Sequence, residues 1–175
     1  MKTKFIILAA LLAAASAGRA FAAGAAPAKA DSQVSITFVD PQKFTDVKMD
    51  SWGGDSTGLL DQLQAFMRET GGRYLPPGMH LDIKVTDVDL AGEFEPWRGA
   101  EFDHVRIIRA IYMPHINLSF TLTDAKGSVV NSGARELTDQ AFQWRTAWPP
   151  DDYLRYEKDL LRDWFRQEFR GLKQG

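Results

Sequence analysis

The stretch Ile116-Asn117-Leu118-Ser119-Phe120-Thr121-Leu122-Thr123-Asp124-Ala125-Lys126-Gly127 decides the fold. Apolar and polar residues alternate through it with the period of a half-buried strand, because successive side chains of a strand point to opposite faces. Asp124 to Gly127 reads as a hairpin turn, and a return strand is expected from Val129 to Leu137, with Gly133 as its weak point. A hairpin joins antiparallel strands, so the sheet is expected to be mostly antiparallel. An apolar stretch from Val105 to Tyr112 precedes it, interrupted by Pro114, and the strand is expected to enter from as early as Val105.

Towards the amino terminus, Leu81, Ile83 and Val85 occupy odd positions and Val88 and Leu90 even ones, so the inward face changes phase near Thr86 and Asp87 and a bulge is expected there. Leu59, Leu60, Leu63, Phe66 and Met67 fall on one face of a helix predicted from Thr57 to Thr70. Ser56 or Thr57 would cap it, Asp61 suits its dipole, and Gly71-Gly72 would supply a left-handed exit. Val34, Ile36 and Phe38 alternate with Ser35 and Thr37 in a first strand that Asp40-Pro41 stops.

Towards the carboxyl terminus, Pro149-Pro150-Asp151-Asp152 ends one segment and opens a helix, with Asp as its cap. Its apolar stripe holds Tyr153, Tyr156, Leu160, Leu161, Trp164, Phe165, Phe169 and Leu172, and Arg166, Arg170 and Lys173 suit its end. The order β-α-β-β-β-α gives an α+β fold, a mostly antiparallel four-stranded sheet with two helices packed on one face. No internal repeat is visible.

The first residues carry the three zones of a secretory signal: Lys2 and Lys4, an apolar run from Phe5 to Ala15, and a small-x-small site at Ala20-Phe21-Ala22. The run is too short to span a membrane. Residues 1–22 are therefore expected to be a signal peptide cleaved after Ala22, with Ala30 as the alternative, residues 23–32 a flexible leader, and residues 33–175 a single α+β domain. Periplasmic export follows as the expected location. The chain has no cysteine, which excludes disulfides and a lipidated cysteine, so a packed core must hold it. Removal of residues 1–22, which contain Lys2, Lys4 and Arg19 but no acid, takes 21 basic against 23 acidic residues to 18 against 23, a net charge of −5. That balance argues against nucleic acid or an anionic membrane surface as the main partner.

Four groups of residues bear on chemistry. Gly54-Asp55-Ser56-Thr57-Gly58 fits the G-x-S-x-G pattern of a hydrolase elbow and precedes a helix, but no apolar strand leads into it, and a capped helix start explains the same residues. Asp87-Val88-Asp89-Leu90-Ala91-Gly92 resembles the opening of a calcium loop, yet Ala91 and Arg98 stand where oxygen donors are required, which leaves only a looser cation site from Asp87, Asp89, Glu93 and Glu95. His80, His104 and His115 are far apart and form no zinc motif. Trp52, Trp97, Trp144 and Trp148 all lie in connections, where they either plug long loops or build a platform with Arg98 and Arg145 beside them.

Ser35 to Asp46, Asp87 to Trp97, Ile116 to Asp124 and Tyr153 to Lys158 together resemble the DUF3016 family, proteobacterial exported proteins of unknown function, over nearly the whole mature chain. The resemblance implies a Gram-negative periplasmic or secreted location and carries over no activity, cofactor or catalytic residue. The expectation is a non-enzymatic binding or accessory module of the cell envelope. It would need no cofactor, metal or catalytic residue and would meet an envelope protein or glycan through Trp52, Trp97, Arg98, Trp144, Arg145 and Trp148. The alternative is a small hydrolase or metal-dependent enzyme using Ser56 or the Asp87 to Glu95 loop. A purely structural envelope protein is the third reading, and the oligomeric state stays open.

Overall fold

A computed structural model of the chain describes residues 33–47, 56–102, 105–147 and 149–174. The expected signal peptide and leader, residues 1–22 and 23–32, lie outside them. The elements run β1 (Val34–Phe38), α1 (Ser56–Gly72), β2 (His80–Asp89), β3 (Glu93–Phe94), β4 (Arg106–Ile107), β5 (His115–Thr123), β6 (Val129–Thr138) and α2 (Arg155–Phe169), with short 3-10 turns between them. The main sheet has the order β1-β2-β5-β6; β1 pairs parallel with β2, and the other two pairings are antiparallel. The fold is α+β, as the hairpin and the helical stripes require.

The Asp124 turn closes as its residues dictate. Its carboxylate accepts the N–H groups of Lys126 and Ser128, at 2.8 and 2.9 Å, and Gly127 takes a positive φ. In β2 the register shifts between Val85 and Asp87, which leaves Thr86 as the extra residue and returns Val88 to the core opposite Ile116. Without that bulge Val88 and Leu90 would face solvent.

One core joins the inward side chains of the sheet to both helices, so the helices cover the same face. Leu63 and Met67 of α1 and Leu161, Phe165 and Phe169 of α2 are all fully buried, each contributing about 1.5–3 kcal/mol. Phe120 meets Trp164 and Phe169 edge-on, with ring centroids 5.8 and 5.4 Å apart. The opposite face carries Ser35, Thr37, Asp82, Lys84, Ser119, Thr121, Ser132 and Glu136, and this polar surface needs no cover.

Three details differ from the sequence reading. Gly71 and Gly72 belong to α1 and supply no left-handed exit; a Cβ on Gly71 would lie 2.9 Å from the Phe165 ring, so its smallness lets the two helices meet. Arg106 and Ile107 do not lead into β5 but pair with Glu93 and Phe94 in a separate two-stranded sheet, because Pro114 separates the two segments. Asp152 accepts the N–H of Leu154 at 2.9 Å and an ion pair from Lys158 at 2.6 Å, and so holds the turn ahead of α2 rather than capping the helix itself.

Candidate functional site

β1, β2 and β6 end, and β5 begins, at the same edge of the sheet, as the register Asp89↔His115 and His115↔Thr138 requires. The connections 39–47, 90–114 and 139–154 therefore gather at one end of the molecule. The expected site residues Trp97, Arg98, Trp144 and Arg145 and most of the acidic loop fall there. Trp52, Trp148 and His104 lie outside the described residues, as does the side chain of Ser56 at the start of α1.

The acids of this end are engaged by protein donors. Asp87 accepts the N–H and hydroxyl of Thr45, at 2.6 and 2.8 Å. Asp46 accepts the N–H of Leu90 at 3.0 Å and both amino groups of Arg106, whose side chain also donates to the carbonyls of Leu90 and Ala91. Burial lowers the pKa of that guanidinium, and Tyr153 and Glu157 act against the shift. Glu95 is 0% exposed and takes Arg109 at 2.9 Å, the Tyr112 hydroxyl at 3.2 Å and Arg98 at 3.5 Å. Glu93 accepts the N–H of Phe94. Asp46 and Glu95 make the loop a clasp of internal ion pairs, and a cation at either would have to displace them.

Burial raises the pKa of two acids. Glu157 is 1% exposed; one of its oxygens accepts the N–H of Ala91 at 2.7 Å, and the other has no partner among the described residues. Burial raises its pKa against the pull of the Ala91 N–H and of Arg106 and Arg155. Asp89, 3.7 Å from His115, is raised by burial and by Asp87 and Glu93, with His115 opposing. Among the described residues no group of three or more His, Cys, Asp and Glu is placed to hold a metal ion. His80 sits at the far end of β2, roughly 30 Å from His115 at about 3.3 Å per residue, so those two cannot share a ligand.

Neither Trp97 nor Trp144 is a loop plug: they are 71% and 90% exposed. Trp164 alone of the described tryptophans is core. Val39, Val105, Ile111 and Tyr153 are exposed on the same connections, so six of the eight large apolar side chains that the described residues expose lie at the loop end. The two arginines hold the loops that carry the rings. Arg98 lies over Phe102, 5.4 Å from its centroid, and Arg145 pairs with Asp139 at 3.0 Å and with Asp163. A cleft of about 280 Å³ opens between β6 and α2, lined by residues 135–139, by Arg145 and by the α2 residues Leu160, Asp163, Trp164, Gln167 and Glu168.

Residues 32–167 match the model of a family described as Protein of unknown function (DUF3016). The chain belongs to this family. No curated protein and no solved structure matches it. The DUF3016 match takes in the whole sheet, the loop end and all but the last residues of α2. Within this DUF3016 chain the sequence reading missed Asp46, Arg106, Arg109, Tyr112 and Glu157. Their partners are 60 residues away for Asp46 and Arg106 and 66 for Glu157 and Ala91, beyond any local pattern. The one available signal was composition: isolated acids and arginines inside otherwise apolar segments.

Proposed function

We propose that this chain is a non-enzymatic binding or accessory module of the cell envelope, exported to the periplasm after cleavage behind Ala22, with residues 33–175 as its one folded domain. The observation that carries the reading is the concentration of exposed apolar side chains, Trp97 and Trp144 foremost, on connections that ion pairs hold in place. Exposed aromatic rings on a fixed support are what a partner surface uses, since a ring brings large contact area at small entropic cost. Three of the acids at this end, Asp46, Asp87 and Glu95, are occupied in building that support.

The test is crosslinking in intact cells followed by capture of the mature protein and sequencing of its amino terminus. One dominant envelope partner, lost in the double variant Trp97→Ala/Trp144→Ala while the fold is kept, is the expected result. A partner that survives the double variant, or an amino terminus still at Met1, sinks the reading.

A further inference from the structure

We infer that the cleft between β6 and α2 is a strand-addition site that takes an extended basic peptide segment as a fifth strand of the sheet. The inference rests on the binding-module reading and gives its partner a chemistry. β6 is the last strand in the order β1-β2-β5-β6 and is ten residues long. Every second residue of such a strand turns its N–H and C=O away from the neighbour it pairs with, a template for another strand. Long edges are commonly blunted by lysine, proline or a bulge. β6 contains no lysine or proline, and its register shift, opposite Leu122 and Thr123, lies at its start, away from the cleft.

The cleft's shape fits that use. Its strand side is the unbroken run 135–139, which includes core-facing and outward-facing residues alike, so it opens along the strand's edge rather than on one face. Its other wall is a single stripe of α2, with Leu160, Trp164 and Gln167 spaced by four and three residues. An extended segment laid there would meet backbone on one side and helix side chains on the other, the arrangement by which sheet edges capture peptides.

Charge selects the occupant. Glu136, Asp139, Asp163 and Glu168 line the cleft with Arg135 and Arg145, and Arg166 pairs with Asp163 from outside it, which leaves a surplus of one negative charge. Both arginines are already committed, Arg135 to Glu168 and to the Ala134 carbonyl at 2.8 Å, which leaves the strand open only beyond Ala134, and Arg145 to Asp139 and Asp163; Glu136 has no ion-pair partner among the described residues. Lysine or arginine on the incoming strand would neutralise that surplus. A second copy of the chain would double it along the shared edge, so self-pairing is disfavoured.

The experiment uses the mature chain and a capped eight-residue peptide alternating lysine and valine, read by hydrogen exchange and amide shifts along β6. The expected result is saturable protection centred on residues 135–138, weakened at least about fivefold in Glu136→Lys and by raised salt. A glutamate-valine peptide, and a lysine-valine peptide N-methylated on its pairing edge, are expected not to bind. Absence of protection with the lysine peptide, equal protection with the glutamate or N-methylated one, or protection that grows with protein concentration alone would each overturn the inference. The crosslink that depends on Trp97 and Trp144 reads the loop end instead, so its loss and the loss of strand addition are separate results.

Discussion

Between the sheet and its helices the buried positions are, but for Thr70, aliphatic and aromatic, from Val34 to Phe169, whereas at the loop end they include Glu95, Glu157 and the guanidinium of Arg106. The first region is held by transfer of apolar surface out of water, which asks only for the right periodicity and fit. The second is held by pairs whose value depends on both partners being present, because a buried charge left alone costs far more than the pair contributes. A side chain lost from either region is therefore felt differently. Damage to the core is a matter of volume, and damage to the clasp a matter of charge and of pH.

The sharpest contrast is expected from Phe165, which is fully buried against Trp164, Phe169 and Tyr74. Phe165→Ala should lose about 3–5 kcal/mol in urea unfolding, by the same amount at acid and neutral pH. A loss that changes steeply with pH would erase the distinction between the regions. Arg106→Ala should cost ~3 kcal/mol, since it strands Asp46 and frees two carbonyls; a cost no larger than that of an exposed arginine would mean that the clasp is ornamental.

Glu157 sharpens the comparison through pH. Its folded pKa lies above the ordinary value of 4.5, so the folded state holds the proton more tightly than the unfolded one. Stability is then full below about 4.5 and falls as pH rises through the folded value. Glu157→Gln can still accept the Ala91 N–H and should match the wild type at pH 4 while exceeding it by roughly 1 kcal/mol at pH 8. An equal gap at both values would show that its charge is not what matters. Smallest of all, Trp144→Ala should change the unfolding free energy by less than about 0.5 kcal/mol, because nearly all of that ring is in solvent. A larger loss by thermal melt would put the ring back among the structural residues.

The same division explains what could be read from the chain. The alternation from Ile116 to Leu122, the Asp124 turn, the change of phase at Thr86 and the stripe from Leu59 to Met67 are local patterns, and each appears in the structure where its period requires. Gly71-Gly72 misled because glycine at a helix end has two uses, and only the position of Phe165 distinguishes close approach from a left-handed turn. β3 and β4, two residues each, are too short to show a period. The tryptophans were visible as a feature, but their exposure follows from where the loops gather, which is a property of the register. The cleft had no local signal at all, since it is made by the edge of one element and the side of another.

α2 supplies Leu160, Leu161, Trp164, Phe165 and Phe169 to a core whose first strand lies more than a hundred positions earlier. A chain that emerges amino terminus first cannot close that core until α2 is free. Until then Tyr74 and Phe120 lack the α2 rings that cover them, and the core stays open. That helix thus acts as a timer: it postpones closure of the core until it has itself emerged, and any truncation before Phe169 should leave a chain that never sets.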